Sequence, residues 1–336
     1  LHLTEDQGYR LPVADYPKLA SAESYSESDL RRIVDPAAAL GIRVVPEVDM
    51  PGHVTSWLTA YPELGCQQVQ AAERFGVHAA CLDPSSNKTY DVIGSILDTL
   101  VDIFPDPCVH IGGDEVSPRW WSEDPKVQAL MAAEGLADVR AVQGYFNRRV
   151  ASMVADRGRQ VVAWDEVIDA GMEEGWIIQA WRGVTMRDRV TVAGNRVLLS
   201  APYYLDLHYP TDIYYGFDPA AAQSELIALE DALITDPRFE HIAGGLRWTE
   251  QWREGAVDIA AAESRASGDA GAGQESLLLG AEACLWSELV TADVLDLRLF
   301  SRLPALAERF WSAATLTNPE DVSRRQDLFL DHQLPL

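Results

Sequence analysis

Short apolar runs rich in β-branched residues alternate along the chain with longer stretches in which apolar positions recur at helical spacing. This alternation is typical of repeated βα units and a parallel sheet. The pattern predicts seven strands, which are Leu1–Thr4, Ile42–Asp49, Cys108–Gly113, Val161–Trp164, Trp176–Trp181, Arg196–Ser200 and Leu277–Trp286. It also predicts helices, which are Ser28–Leu40, Tyr90–Phe104, Lys126–Arg157, Thr185–Ala193, Leu297–Ser312 and a last helix from Pro319 onward.

Each predicted strand ends in acidic, aromatic or other polar side chains, such as Asp114 and Glu115 after the third strand and Trp164 at the end of the fourth. Side chains at the carboxyl ends of parallel strands form the active site of a (β/α)8 TIM barrel, whereas a doubly wound sheet collects its ligand residues at one switch point. We therefore predict an α/β fold of the TIM-barrel class. Because only seven strands are found, we expect residues 1–336 to form a barrel without its first βα unit, with Leu1–Thr4 as the second strand.

Residues 220–274 form a connection that is long for a βα unit. Its part 254–274 is rich in Ala, Gly, Ser and acidic residues, a composition that predicts a mobile insertion. The chain shows no internal repeat and no sign of a second domain, so the sequence predicts one catalytic domain.

The chain of 336 residues carries a formal net charge of −25. A nucleic-acid partner is therefore not expected, because neutralising phosphates needs clustered Lys and Arg. No run approaches the roughly 20 apolar residues of a membrane helix, and no glycine-rich phosphate loop is present, so neither a membrane span nor a nucleotide site is predicted. Four cysteines are too few for a disulfide scaffold and do not have the spacing of a zinc site, although Cys66 and Cys81 could pair in an oxidising compartment.

The segment His110–Glu115 is the most informative hexapeptide of the chain. A strand-like run leads into Gly112 and Gly113, which let the backbone approach a ligand closely, and then into two adjacent carboxylates. A simpler interpretation makes Asp114 the cap of the next helix and Glu115 a solvated side chain. The position of the pair after a strand, together with aromatic residues at the ends of later strands, favours a catalytic role.

Adjacent residues at a strand end point in different directions. Asp114 and Glu115 therefore cannot easily flank one glycosidic bond as acid and nucleophile, an arrangement in which retaining glycosidases hold two carboxyl groups roughly 5 Å apart. An adjacent pair suits a different division of labour, in which one residue protonates the leaving oxygen and the other orients a nucleophile within the substrate. A 2-acetamido sugar carries such a nucleophile in its amide carbonyl oxygen.

The hexapeptide resembles the His-x-Gly-Gly-Asp-Glu signature of glycoside hydrolase family 20, the β-N-acetylhexosaminidases and chitobiases. Further segments resemble the family in the same order along the chain, namely Leu1–Gly8, Pro46–His53, Tyr204–Leu207 and Gly280–Glu288. The resemblance covers the chain apart from the insertion. It implies an exo-acting TIM-barrel hydrolase that removes terminal β-linked N-acetylglucosamine or N-acetylgalactosamine with retention, through an oxazolinium intermediate and without a metal or organic cofactor.

The resemblance also implies roles for individual residues. Glu115 is expected to be the general acid and then the base that activates water, while Asp114 accepts the acetamido N–H and steers the carbonyl oxygen. Tyr204 is expected to donate its hydroxyl to that oxygen. The other expected sugar contacts are Trp164, Trp181 and Trp286 as walls of the acetamido pocket, and Asp206 and Glu288 as partners of sugar hydroxyls. Flat Trp faces suit the apolar C–H faces of sugars.

A supporting network completes the expected site. By resemblance, His53 bridges Glu115 to Glu5, at a position where the family commonly has Asp, and Asp49 supports the same region. The longer side chain of Glu5 must then be accommodated. The histidines interpreted as ordinary structural residues are His2, His78, His208 and His241.

The start of the sequence and the choice of substrate bring further expectations. Family members carry an arginine on the first strand that binds the terminal sugar, and this sequence begins after that point, so weaker substrate binding is expected. An N-terminal accessory domain is expected to be absent as well.

Two alternative functions are considered from the sequence. One is a lacto-N-biosidase-type release of a disaccharide, and the other is that of a non-catalytic sugar-binding relative. The retained Asp114 and Glu115 argue against the second.

Overall fold

The structure is a computed structural model that describes residues 1–239 and 277–333. The chain divides into two units, Leu1–Ile177 and Ile178–Leu336. Within the described ranges, no helix is long and apolar enough to cross a membrane. Cys66 and Cys81 are free thiols, so the disulfide considered from the sequence is not formed in this structure.

Four short strands lie in the first unit, namely β1 (Thr4–Glu5), β2 (Gly8–Tyr9), β3 (Cys108–His110) and β4 (Gln160–Trp164). β1 and β2 pair antiparallel, whereas β3 and β4 pair in parallel with Val109 opposite Val161. The predicted fourth strand is therefore confirmed to within one residue. β3 ends before the predicted strand does, because Gly112 and Gly113 leave the extended region with φ of 71° and 103°.

The segment before β3 is less regular than the sequence pattern predicts. The prediction of a regular strand over Ile42–Asp49 is wrong. In this segment only Glu47 forms β-bridges, to His2 on one side and to His110 on the other. Both bridges are parallel. Pro46 has no N–H to donate to a strand partner, which explains why the pairing is interrupted here.

The predicted strand Leu1–Thr4 is extended but forms only a single bridge, at His2. The N–H of Leu3 donates to the Glu47 carbonyl oxygen at 3.0 Å, which holds the two segments side by side in parallel. Thr4 already belongs to the antiparallel β1. A parallel segment at the start of the chain is thus confirmed, while its bounds as a strand are wrong.

The helices of the first unit are α1 (Glu27–Ala39), α2 (Thr55–Ala60), α3 (Asn87–Ile103), α4 (Arg119–Glu123), α5 (Pro125–Glu134), α6 (Val139–Ala155) and α7 (Val167–Ala170), with a 3-10 turn at Pro62–Leu64. The helices predicted near α1 and α3 are confirmed. The prediction of one helix over Lys126–Arg157 is wrong, because one helix ends and another begins within this stretch. Gly135 ends α5 in the left-handed conformation, and the Asp138 side chain caps α6 by accepting the N–H of Ala141 at 2.8 Å.

The strands of the second unit are β5 (Ile177–Ala180, which begins at the last residue of the first unit), β6 (Arg196–Leu199) and β7 (Leu278–Ala281). They are adjacent in this order, and β6 pairs in parallel with β7. The predicted strands Trp176–Trp181 and Arg196–Ser200 are confirmed to within one residue. Leu277–Trp286 is too long as a strand, because the pairing register shifts after Val197 and Gly280 takes a φ of 143°.

The helices of the second unit are α8 (Thr185–Val192), α9 (Thr211–Gly216), α10 (Gln223–Thr235), α11 (Leu295–Phe300), α12 (Leu303–Trp311) and α13 (Pro319–Gln333), with 3-10 turns at Leu205–Leu207, Pro237–Phe239 and Ala314–Leu316. The predicted helix Leu297–Ser312 is wrong as one helix, since Pro304 stands in the first turn of α12 and cannot continue α11. Helix α10 lies inside the predicted insertion. The stretch 254–274, expected to be mobile, and His241 lie outside the described residues.

Candidate active site

The backbone after β3 brings two carboxylates into one turn. A Cβ atom on Gly112 would lie 1.7 Å from Oδ1 of Asp49, so only glycine fits at this position. Glu115 itself is in the left-handed region, with a φ of 50°. Its N–H donates to Oε1 of Glu166 at 3.1 Å. The direction in which Asp114 and Glu115 leave the strand is therefore fixed by close packing and by hydrogen bonding.

Asp49 lies buried beneath this turn. Its Oδ1 accepts the N–H of Gly113 at 3.1 Å, and its own N–H donates to Oγ1 of Thr4 at 3.0 Å. Burial, together with the negative charge of Asp114, raises the pKa of Asp49 well above its usual range. Asp49 is thus a buried, hydrogen-bonded support for the turn, at the position to which the resemblance gives a supporting role.

His53 lies between the predicted carboxylates. Its Nδ1 atom is 2.8 Å from Oε1 of Glu5, and its Nε2 atom is 3.5 Å from both Oδ2 of Asp114 and Oε2 of Glu115. Burial alone would lower the pKa of His53, but the contacts with Asp114 and Glu5 and the negative charges around the ring raise it well above its usual range. The structure therefore brings His53 together with Glu115 and Glu5, the two residues to which the resemblance connects it, and places Asp114 beside the same ring nitrogen.

Glu5 accommodates its longer side chain by using both carboxylate oxygens. Oε1 contacts His53, and Oε2 lies 3.4 Å from Nε2 of His2. Burial alone would raise the pKa of Glu5, but the contacts with the rings of His2 and His53 lower it below its usual range. The neighbouring Asp6, to which the sequence analysis gave no role, is buried and accepts both the N–H and the hydroxyl of Thr55, at 2.8 and 2.5 Å.

A second buried carboxylate, Glu47, lies on the other side of His2. Nδ1 of His2 is 3.2 Å from Oε2 of Glu47, and Nδ1 of His110 is 3.4 Å from Oε1. Trp164 donates its indole N–H to the same Oε1 at 2.9 Å. Glu47 is not among the site residues predicted from the sequence, although the segment that resembles the family contains it, and His2 is there predicted to be an ordinary structural residue.

Trp164 is only 3% exposed, which is the burial of a core residue. The polar edge of the ring faces inward, where its N–H donates to Glu47. Its role as a wall of a sugar pocket therefore rests on the resemblance alone.

The other predicted sugar contacts lie in the second unit, namely Trp181, Tyr204, Asp206, Trp286 and Glu288. Within this unit, Oδ1 of Asp206 accepts the N–H of Trp286 at 3.3 Å. Burial, with a further contribution from the charge of Glu288, raises the pKa of Asp206 to about 6. A parallel bridge joins Tyr204 to Cys284, which brings the loop after β6 beside the segment that precedes Trp286.

Two groups of polar atoms in the described residues are close enough to hold a cation. The atoms of Glu5, Asp6 and His53 lie within 4.8 Å of one another, as do those of Asp49, His53 and Asp114. Both groups share one histidine, whose Nδ1 is already engaged by Glu5 at 2.8 Å. We therefore interpret both groups as parts of one proton network.

Comparison with known proteins identifies the family. Residues 1–314 match the catalytic domain of glycosyl hydrolase family 20. The human β-hexosaminidase subunit beta is 30% identical over 96% of this chain and 52% of its own length, and the subunit beta of Entamoeba histolytica is 29% identical over 95% and 54%. The chain thus spans about half the length of the curated relatives it matches.

Solved structures agree with this match. A Flavobacterium johnsoniae chitobiase superposes with a TM-score of 0.76 at 29% identity, over 97% of this chain and 45% of that protein. A β-N-acetylhexosaminidase from Streptomyces coelicolor gives 0.68 at 27% identity, over 97% and 60%. The predicted α/β fold of the TIM-barrel class is confirmed by these relatives, and the chain belongs to glycoside hydrolase family 20 as a catalytic domain of that family.

Proposed function

We propose that this domain is an exo-acting β-N-acetylhexosaminidase that removes terminal β-linked N-acetylglucosamine or N-acetylgalactosamine with retention. The observation that carries the proposal is the position of His53, whose Nε2 is 3.5 Å from a carboxylate oxygen of both Asp114 and Glu115. Relatives named β-hexosaminidase and chitobiase support the same substrate class.

The proposed reaction needs different protonation states in the two carboxyl groups. Glu115 must carry a proton to act as the general acid, and Asp114 must be ionised to accept the acetamido N–H. The His53 ring lies 3.5 Å from both carboxylates, and its positive charge would stabilise the ionised partner.

The nucleophile in this proposal is the acetamide of the substrate. Family 20 enzymes are a known exception to the scheme of two opposed carboxylates, so this part of the mechanism is carried over from the family. Asp114 accepts the acetamido N–H and directs the carbonyl oxygen onto the anomeric carbon, and Glu115 gives a proton to the leaving oxygen. The resulting oxazolinium ion is then opened by a water molecule from which Glu115 removes a proton.

The same carry-over assigns the remaining residues. Tyr204 donates its hydroxyl to the acetamide oxygen, and that hydrogen bond strengthens as charge develops there. The proposed pocket walls are Trp164, Trp181 and Trp286, and the proposed partners of the sugar hydroxyls are Asp206 and Glu288. No metal or organic cofactor takes part in these steps.

The test uses a chromogenic N-acetyl-β-glucosaminide and the matching β-glucoside, which has a hydroxyl in place of the acetamide. We expect hydrolysis of the first, near-complete inertness of the second, and progressively slower reaction as the acetyl methyl is fluorinated, because its carbonyl oxygen becomes less basic. Asp114→Asn should lower kcat more than it raises KM, since its hydrogen bond strengthens in the transition state. Covalent trapping of a sugar on any side chain of the active protein would contradict the mechanism. Release of a disaccharide only would contradict the proposed removal of a single terminal sugar.

A further inference from the structure

Carboxylates and imidazole rings alternate in the first unit to form what we call the carboxylate–histidine row, which consists of Glu47, His2, Glu5, His53 and the pair Asp114 and Glu115. The closest distances along it are 3.2 Å from Glu47 to His2, 3.4 Å from His2 to Glu5 and 2.8 Å from Glu5 to His53. Both members of the pair then lie 3.5 Å from His53. The row connects the proposed catalytic residues to a carboxylate that has no part in the proposed reaction.

Both histidines of the row have a carboxylate at each ring nitrogen. A neutral imidazole has one N–H and can satisfy one such neighbour, whereas the imidazolium has two N–H groups and can satisfy both. His2 faces Glu47 with Nδ1 and Glu5 with Nε2, and His53 faces Glu5 with Nδ1. The contacts therefore favour the charged form of both rings, in alternation with negative charges.

Glu5 contacts both imidazole rings, those of His2 and His53. Its Oε1 contacts His53 and accepts the N–H of Asp6 at 2.7 Å, while its Oε2 contacts His2. A side chain shorter by one methylene cannot reach as far from the same backbone position. Glu5 thus links His2 to His53 because of its length.

We propose that His2 is a positioning residue for catalysis, which holds Glu5 ionised and turned toward His53 and through them fixes the proton arrangement of Asp114 and Glu115. This inference rests on the proposed function, because it concerns the same pair of carboxylates. His2 itself touches neither member of the pair in the contacts described above. Its effect passes through Glu5.

The charges around each member of the row agree with this role. Burial alone would lower the pKa of His2, but Glu47 and Glu5 raise it well above its usual range, and Asp49 adds to the rise. Glu5 faces the two rings of the row, both of which lower its pKa. The titratable groups that face His53 are Glu5, Asp6, Asp49, Asp114 and Glu115.

The first experiment compares the pH dependence of kcat/KM in the unmodified chain, in His2→Gln and in His78→Gln. The control His78 also lies in the first unit, but its Nε2 contacts only a backbone carbonyl oxygen, that of Arg74, at 2.9 Å among the contacts described. Glu5 must be ionised for the row to be intact, and its side-chain contact with His2 lowers its pKa. Without that contact Glu5 takes up a proton at higher pH, so the acidic limb should move up by about one pH unit. The control variant His78→Gln should leave the pH of the acidic limb unchanged.

A double-mutant cycle tests whether His2 acts through Glu5. Glu5→Asp should move the acidic limb in the same direction, and adding His2→Gln to it should bring no further movement, because the contact between the two residues is already lost. Equal losses of kcat/KM at every pH in His2→Gln would indicate a merely structural role and overturn the inference. Additive movements in the double variant would also overturn it. If His2→Gln does not fold, the ¹⁵N measurement on the unmodified chain and on Glu5→Gln, described next, decides whether His2 acts through Glu5.

The second experiment does not depend on activity. Imidazole ¹⁵N shifts of the intact protein should show both nitrogens of His2 protonated at neutral pH, and Glu5→Gln should lower the pH at which this ring loses its proton. A neutral His2 ring, or a midpoint unmoved by Glu5→Gln, would contradict the inference whatever the enzyme assay shows. If the unmodified chain does not hydrolyse N-acetylhexosaminides while the ¹⁵N shifts behave as expected, the proposed function is wrong, but the coupling between His2 and Glu5 is still supported.

Discussion

Trp164 and Glu47 are joined by a buried hydrogen bond across 117 positions of the sequence. The indole N–H of Trp164 lies 2.9 Å from Oε1 of Glu47. The other oxygen of the same carboxylate lies 3.2 Å from Nδ1 of His2, so its negative charge has a second polar partner. A carboxylate can be kept in the interior only when such partners compensate for the water it has lost. The bond therefore links the end of β4 to the base of the carboxylate–histidine row.

Trp164→Phe removes this donor and leaves most of the ring in place. We expect the free energy of unfolding to fall by about 1–3 kcal/mol, because a buried charged acceptor loses one of its hydrogen bonds. Chemical denaturation followed by circular dichroism measures the change. The same substitution at Trp311, which is 93% exposed, is the matched control and should change stability by less than about 0.5 kcal/mol. Equal effects in both variants would show that the bond to Glu47 does not stabilise the fold.

Long-range pairs of this kind are what the sequence could not reveal. The alternation of short apolar runs and helical spacing was sufficient to predict β4, because every residue that defines a buried strand is local. The acceptor for Trp164 lies in a different segment, and nothing near position 164 points to Glu47. For the same reason His2 looked like an isolated histidine, although it lies between Glu5 and Glu47.

Local sequence signals were also insufficient where a stop occurs inside a regular pattern. Gly135 and Asp138 divide one helical stretch into two helices, and Pro46 interrupts a run that otherwise reads as a strand. By contrast, the two glycines before Asp114 were recognised as a close approach of the backbone. The atom they approach, Oδ1 of Asp49, could be identified only from the fold.

Gly112→Ala should lower the free energy of unfolding by more than the strain of its left-handed backbone angle alone explains. An added Cβ would lie 1.7 Å from Oδ1 of Asp49, so the support beneath the catalytic turn must move. Gly158→Ala is the matched control, because Gly158 has a similar φ of 68° with nothing within 4 Å of the added atom. We expect the control to lose about 1–2 kcal/mol from left-handed strain and Gly112→Ala to lose about 1–3 kcal/mol more from overpacking.

Thermal or urea unfolding of the two variants measures this difference. Turnover should also be lost in Gly112→Ala and retained in Gly158→Ala, since only the first displaces Asp114 and Glu115. Similar stability losses in both variants would show that the turn can relax around the new methyl group.

Asp206→Asn should stabilise the protein at neutral pH. Burial raises the pKa of Asp206 to about 6, above the ordinary value near 3.8, so the folded state holds its proton more tightly than the unfolded chain does. This contribution to stability is complete below about pH 4 and is lost as the pH rises through about 6. A neutral amide removes the cost of ionising the buried group and keeps an oxygen for the N–H of Trp286.

Urea unfolding at pH 4 and at pH 7.5 tests the predicted direction of this pH dependence of stability. The variant should match the unmodified chain at the lower pH and exceed it at the higher pH by up to about 3 kcal/mol, which corresponds to a pKa shift of about two units. Asp212→Asn, which removes an exposed carboxylate from the same unit, is the control. A stability gain at pH 4 as large as at pH 7.5 would contradict the assigned direction. Weaker sugar binding in Asp206→Asn would separately support its proposed contact with a hydroxyl.

Glu115→Gln tests the general acid by changing the leaving group. A glutamine keeps the size of the side chain but has no proton to transfer, so departure of a poor leaving group loses an acid that contributes about 10²–10⁴-fold. An activated nitrophenolate leaves almost unaided and should lose much less in the glycosylation step. The ratio of kcat/KM values for the two substrates should therefore widen in the variant by at least about tenfold. Glu123→Gln, at an exposed position at the end of α4, is the matched control and should leave the ratio unchanged. Equal losses for both substrates in Glu115→Gln would assign the proton transfer to another residue, and the neighbouring Asp114, which shares the same His53 nitrogen, would be the first to examine.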